Sequence, residues 1–273
     1  MKILDKKILA DAKGVRIFSL KIESPLIAQK VLPGQFVVIM VVKEGERFPL
    51  TIVDKDKNSI TLIVQELGLS TKFLSRLNVG DSLYAITGPL GNSTEIRKYG
   101  KVAIVGGGVG VAEIWPVAKA FKAKGNFIST ILGARSKELL ILENELKSTS
   151  GQLYVTTDDG SYGKKGFVTD VLKDLISKDK YDLVYAVGPI PMMKSVSDLT
   201  QDLGIKTIVS LNALMVDGTG MCGSCRVTVK GQTKFACIDG PEFDAHQIDW
   251  GEFIKRSKIY EDKEKHICRL NEL

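Results

Sequence analysis

The chain has 273 residues, 44% of them apolar, which is enough for two compact domains or three small ones. Charged residues make up 26%, and the net charge of +6 is spread among interleaved acidic residues with no basic arm, which speaks against nucleic-acid binding. No apolar run approaches the roughly 20 residues of a membrane span, and Met1-Lys-Ile-Leu-Asp-Lys-Lys lacks a signal-peptide core.

Residues 1–97 read as short strands separated by turns. Val15-Arg-Ile-Phe-Ser-Leu-Lys-Ile alternates, Gln35-Phe-Val-Val-Ile-Met is continuous, and Ser59-Ile-Thr-Leu-Ile-Val-Gln alternates again. Closely spaced strands with Pro33-Gly34, Asp56-Lys-Asn58 and Val79-Gly-Asp81 between them predict a small antiparallel barrel. Two polar islands lie within it: Arg47-Phe-Pro-Leu-Thr51 entering a strand, and Glu66-Leu-Gly68-Leu-Ser70-Thr71 opening a helix. Arg47 with Thr51, and Ser70 with Thr71, suit a flavin pyrophosphate, since guanidinium forks onto phosphate oxygens and hydroxyls join helix N–H groups. Taken alone, each island is more often a surface ion-pair partner or a helix cap, and Pro49 a start-of-strand residue.

From Gly100 the period changes. Strands Lys101-Val-Ala-Ile-Val, Ser129-Thr-Ile-Leu, Leu153-Tyr-Val-Thr-Thr, Leu183-Val-Tyr-Ala-Val and Lys206-Thr-Ile-Val-Ser alternate with helices over 111–124, 166–177 and 192–202. That alternation predicts a doubly wound, mostly parallel sheet over residues 98–210. Gly106, Gly107, Gly108 and Gly110 form a turn from strand to helix, where free N–H groups favour an anion. A second glycine turn, Gly188-Pro189, ends a later strand. The acidic residue expected about 20 positions on, to hold a ribose diol, is absent. Arg135 stands there instead, suited to a 2′-phosphate or to no more than an exposed loop charge, so NADH and NADPH both remain open.

Residues 211–273 read as loops, short strands and a terminal helix over 250–260. Three of the four cysteines fall here: Cys222, Cys225 and Cys237. Plant-type 2Fe–2S sites space ligands as Cys-x4-Cys-x2-Cys with a distant fourth, and that count puts Asp217 at the first position. Three soft thiolates and one hard carboxylate make a workable set. A structural zinc and a disulfide are the alternatives. Clustered cysteines favour metal ligation in a reducing cytoplasm, and Cys268 stands apart as a packing residue or incidental thiol.

Arg-x-Pro-Leu-Thr at 47–51, Gly-Pro-Leu-Gly at 88–91, the glycine turn at 106–110, Thr-Asp-Asp-Gly-Ser-Tyr-Gly at 157–163, Ala-Val-Gly-Pro at 186–189 and the cysteine segment occur in that order. Together they resemble the ferredoxin–NADP reductase superfamily, in the branch holding the electron-transfer subunit of dihydroorotate dehydrogenase. With Asp217 at the first ligand position, the chain looks like small subunits of NADH-dependent ferredoxin:NADP oxidoreductase. The resemblance implies a mixed β and α/β fold: an FAD-binding barrel (1–97), an NAD(P)-binding doubly wound sheet (98–210) and a small iron–sulfur lobe (211–273). It implies FAD beside Arg47, Pro49, Leu50 and Thr51, with Gly68, Ser70 and Thr71 near its pyrophosphate. A nicotinamide nucleotide, NAD(H) or NADP(H), is implied over Gly106–Gly110 reaching Gly188 and Pro189, and a 2Fe–2S cluster on Asp217, Cys222, Cys225 and Cys237.

These parts make a hydride-to-electron converter, because a flavin links two-electron and one-electron chemistry. The resemblance further implies a larger flavin and iron–sulfur partner in a heterodimer, which reaches ferredoxin and couples two electron routes by bifurcation. The alternatives are the electron-transfer subunit of dihydroorotate dehydrogenase and a zinc-stabilised flavoprotein without enzymatic activity. Hydride transfer needs no acid–base residue, and the sequence nominates none.

Overall fold

The computed structural model describes residues 1–270. Six antiparallel strands come first: β1 Ile3–Ala12, β2 Val15–Glu23, β3 Phe36–Met40, β4 Arg47–Lys55, β5 Ser59–Gln65 and β6 Ala85–Leu90. They lie in the order β1-β2-β5-β4-β3-β6. The segment entering β6 returns to the start of β1, with Ile3 N donating to Asp81 O at 2.8 Å and Leu83 N to Met1 O at 3.0 Å. The sheet thereby curls into the expected barrel, filled by Phe18, Leu20, Ile22, Val37, Ile39 and Leu62. Helix α1, Pro25–Lys30, starts on a proline whose missing N–H costs nothing there, and α2, Leu69–Arg76, follows β5.

The second sheet holds β7 Lys101–Gly107, β8 Phe127–Ala134, β9 Gln152–Thr157, β10 Lys164–Lys165, β11 Leu183–Val187 and β12 Thr207–Ser210. Its order, β10-β9-β8-β7-β11-β12, is parallel throughout and reverses direction between β7 and β11. Near-continuous apolar strands fit a sheet covered on both faces. Helices α3, Gly110–Ala123, and α4, Glu143–Thr149, pack on one face, and α5, Val168–Lys178, and α6, Ile190–Gln201, on the other.

The C-terminal segment contributes a hairpin, β13 Arg226–Val229 with β14 Gln232–Phe235, and then β15 Glu242–Asp244. Strand β15 pairs antiparallel with β12, so this segment supplies an edge of the nucleotide sheet. The sequence suggested one terminal helix over 250–260. The structure has two, α7 Trp250–Ser257 and α8 Glu261–Leu270. Short-range bonds from Lys258 N to Lys255 O and from Ile259 N to Arg256 O tighten the final turn and end α7. The side chain of Cys268 lies outside the described residues.

One carboxyl ties the three parts together. Glu242 on β15 accepts a hydrogen bond from Tyr185 Oη on β11 at 2.7 Å, and another from Thr94 Oγ1 on the segment leaving the barrel. Desolvation pushes the pKa of Glu242 above the usual carboxyl range. A carboxyl with a raised folded-state pKa supports the fold most fully at low pH, and that support is lost as pH climbs through the raised value. Tyr185→Phe should cost about 1–2 kcal/mol in urea unfolding. Glu242→Gln should flatten the fall in stability above the ordinary glutamate range.

Candidate functional site

Strand order fixes where a ligand can sit. In an open parallel sheet the crevice opens at the carboxyl ends of strands flanking the reversal, here β7 and β11. Both glycine turns end those strands, so Gly110 becomes a neighbour of Val187 and Gly188. A Cβ on Gly110 would lie 2.6 Å from Val187 O and 2.9 Å from Gly188 Cα, and one on Gly107 2.4 Å from Met192 Sδ. Only glycine admits this approach. Gly108 has φ +57° and open space where a side chain would project.

A cleft of about 880 Å³ runs from these turns to the barrel wall. Pro49, Leu50 and Thr51 of β4 form its barrel side, with Thr71 from α2. Gly107, Gly108, Gly110, Gly188 and Pro189 form the sheet side, and Arg135 stands at the far end after β8. Gly106 lies in β7 just behind the turn. Arg47, Gly68 and Ser70 fall outside this lining. Arg47 is exposed at the start of β4, while Ser70 Oγ donates to Glu46. Gly68 caps α2, and Thr71 Oγ1 accepts from Leu67 N at 2.9 Å and Gly68 N at 3.1 Å. The hydroxyl of Thr71 thus serves its own helix start, as the capping alternative anticipated.

The cysteine segment lies behind the barrel wall. A Cβ on Gly218 would meet Val38 Cγ2 at 2.8 Å and Leu90 Cδ1 at 2.9 Å. Val38 is the sheet partner of Pro49, so one strand separates this loop from the cleft-lining part of β4. From the other side Arg256 of α7 donates to Ser224 O at 3.0 Å and Arg226 O at 3.2 Å.

The four candidate metal donors fall into two pairs. The sulfurs of Cys225 and Cys237 touch at 3.2 Å, buried and without a disulfide. Burial beside that neighbour pushes the Cys237 thiol up to about 12. Asp217 accepts from Thr219 N at 2.8 Å and from Cys222 N at 3.0 Å, which holds its carboxylate below the usual range. Cys222 itself is exposed, 3.2 Å from Ser224 Oγ. Among the described residues no three Cys, His, Asp or Glu side chains converge on a single ion. Two pairs of donors, two per iron, fit the demand of a two-iron cluster, and soft thiols suit iron. The Asp217 carboxylate turns toward its own loop, where Thr219 and Cys222 hold it. Hydrogen bonds of this kind orient a ligating carboxylate.

Sequence reasoning passed over Glu113, in the first turn of α3. It lines the cleft, its carboxyl is desolvated, and its pKa is pushed up to about 7. The signal was present as the one charge in Gly110-Val-Ala-Glu-Ile-Trp-Pro-Val-Ala. Asp158, just after β9, also lines the cleft. The close approach at Gly110 makes a sharp test. Gly110→Ala should destabilise by about 1–3 kcal/mol in urea unfolding through overpacking, and weaken NADH binding at least tenfold in a fluorescence titration.

Comparison with known proteins gives the same picture. Residues 212–249 match the iron–sulfur cluster binding domain of dihydroorotate dehydrogenase B, and residues 104–198 an oxidoreductase NAD-binding domain. A Thermotoga maritima protein named as a homologue of the dihydroorotate dehydrogenase B (NAD(+)) electron transfer subunit is 49% identical over 251 residues, 91% of this chain and 89% of that one. A solved structure described as an NADH-dependent reduced ferredoxin-NADP oxidoreductase, studied for flavin-based electron bifurcation, superposes with a TM-score of 0.93 at 44% identity, covering 99% of this chain and 96% of that one. The ferredoxin-NADP+ reductase of Plasmodium falciparum shares the fold at 18% identity and a TM-score of 0.58, over 73% of this chain and 88% of that one. Sequence and fold thus agree, and the chain belongs to the family of dihydroorotate dehydrogenase B electron-transfer subunits and their homologues.

Proposed function

We propose that this chain is the electron-transfer subunit of an electron-bifurcating NADH-dependent ferredoxin:NADP oxidoreductase. It exchanges hydride with NAD(H) and passes single electrons to a larger subunit carrying further flavin and iron–sulfur centres, through which ferredoxin is reached. One observation carries the reading: the cleft joins β4 to both glycine turns, while the cysteine loop rests one strand behind β4. Bound there, FAD converts a two-electron hydride into single electrons and a 2Fe–2S cluster carries them onward.

The residues divide this work. Pro49, Leu50 and Thr51 present one face of β4 to the flavin, with Arg47 at its edge and Gly68, Ser70 and Thr71 toward the pyrophosphate. The turn from Gly106 to Gly110 receives the nucleotide phosphates at the start of α3, and Gly188 and Pro189 let its other half lie close. Arg135 and Asp158 face the ribose with a guanidinium and a carboxylate. Asp217, Cys222, Cys225 and Cys237 would hold the 2Fe–2S cluster, and Gly218 keeps their loop pressed on Val38 and Leu90. The modules are the barrel to residue 97, the sheet to 210 and the cluster lobe beyond. A reducing cytoplasm keeps the thiols available. Among the described residues no helix is long and apolar enough to cross a membrane.

The decisive measurement is an anaerobic NADH titration of protein prepared with iron and sulfide. Flavin absorbance should bleach and a reduced 2Fe–2S spin-resonance signal should grow. Cys225→Ser and Cys237→Ser should lose that signal and keep the bleaching, and Asp217→Cys should shift the cluster's potential. Bleaching with no cluster signal, or one zinc without acid-labile sulfide, overturns the relay. The Thermotoga relative favours a second reading, an electron-transfer subunit of dihydroorotate dehydrogenase. Co-purification separates the two, since the partner is then a TIM-barrel flavoprotein and not a pyridine-nucleotide reductase.

A further inference from the structure

Helix α6 opens on Ile190-Pro191-Met192-Met193, and its two methionines differ in where they lie. Met193 is wholly buried in the core, whereas Met192 is half-buried and lines the cleft. The Met192 thioether packs on the Cα faces of two glycines from different turns. A side chain on Gly188 would lie 2.7 Å from Met192 Cε and 3.0 Å from Sδ, and one on Gly107 would collide with the same sulfur. The turns themselves nearly touch, since that Gly188 side chain would also lie 3.1 Å from Gly107 O. Met192 is therefore a wedge beneath both turns with one flank open to the cleft. For packing alone a leucine would serve. A thioether is softer, unbranched and, unlike leucine, able to take up oxygen. Two other methionines give the scale: Met221 on the cysteine loop is 89% exposed, and Met215 lines the cleft but is buried.

We propose that Met192 is an oxidation site that gates nucleotide binding: as the thioether it spaces the two glycine turns for a dinucleotide, and as the sulfoxide it denies the cleft to one. This rests on the reading of the cleft as a nicotinamide-nucleotide site. The oxidant is hydrogen peroxide. A lone pair of Met192 Sδ attacks one peroxide oxygen, the O–O bond breaks and an S–O bond forms. The other oxygen leaves as water with both protons. Sulfur gives up two electrons and the peroxide takes them. The side chain gains a polar oxygen and a new chiral centre. Packed against two glycine backbones, the sulfur has no room for that oxygen on the turn side. The oxygen must part the turns or project into the cleft, and either takes space that the dinucleotide needs.

Calorimetry of NAD+ binding to the flavin-loaded chain, before and after graded peroxide treatment, tests this beside peptide mass spectrometry. Met192 should gain one oxygen after the exposed Met221 and well before its buried neighbour Met193. Saturating NAD+ should slow oxidation at Met192 and leave Met221 unprotected. Affinity for NAD+ should fall by about tenfold or more, in step with sulfoxide at Met192 and not with sulfoxide at Met215 or Met221. Met192→Leu should bind NAD+ about two- to fivefold more weakly and lose no further affinity on the same treatment, although its cysteines and Met215 are unchanged. The tracking of affinity with Met192 sulfoxide in the unmutated chain decides the matter should the leucine variant not fold. Met192 reduced once Met221 is fully oxidised, Met192 oxidised with affinity intact, or affinity lost equally in Met192→Leu overturns the inference and leaves the proposed function standing. Failure of the untreated chain to bind NAD+ sinks both.

Discussion

Two backbones cross at van der Waals limits where β7 and β11 end, and the site follows from that contact. Gly110 sits so near the carbonyl of Val187 that no side chain fits between them. Gly107 and Gly188 both close on Met192, which seals the gap below. The turn is thereby held with the α3 N–H groups directed outward, and its position is set by the sheet, whose strands are wholly buried there. Because the strands are rigid, the barrel must come to the turn. It does so through apolar contacts from Ala10, Ile17, Val53 and Ile63 to the α3 face of the sheet, and through the Lys13 to Asp159 ion pair at 2.8 Å. The exposed ion pair adds little stability and more orientation.

How much of this could be read in advance depended on whether one physical signal dominated locally. The parallel sheet was legible because β7, β8 and β11 are almost wholly buried apolar runs, whereas β10, two exposed lysines, carries no such signal. The cysteine spacing was legible because ligand geometry constrains sequence separation directly. Strand β1 was harder. Its register against β2 slips between Ile3 and Asp5 and again between Ile8 and Ala10, so alternation fails just where a pattern is sought. Strand β15 is three residues long and owes its existence to pairing with β12, an interaction between distant segments. The same holds for Glu113 and Glu242. A glutamate in a helix or a short strand carries no mark of desolvation until the fold closes over it.

Those two carboxyls place the burden of burial at the junction between the parts. Glu242 has Tyr185 and Thr94 as donors, so its desolvation is largely compensated and it works as a tie. Glu113 has the weaker compensation of one hydroxyl, and its pKa falls where small changes of environment move a proton. Tyr185 lies between them, donating to one and sensing the other. A single strand, β11, thus supplies both the glycine turn at its end and the phenol that sets the two carboxyls apart.

The cysteine loop depends on the same economy of space. Gly218 is pressed on Val38 and Leu90, and any side chain there would lift the loop from the barrel. Val38 pairs with Pro49, and neighbouring strands lie only about 4.8 Å apart. The loop therefore lies close behind the cleft, and Ala213 and Met215 just before it line the cleft itself. On its far side Arg256 clasps the carbonyls of Ser224 and Arg226, so the loop is held between α7 and the barrel. Met221 and Cys222 remain on the open side, with Met221 89% exposed. A thioether so exposed has no role in the core. The loop thus has a buried pair of sulfurs, Cys225 and Cys237, packed toward the protein, with Cys222 on the open side and the Asp217 carboxylate folded back on its own loop.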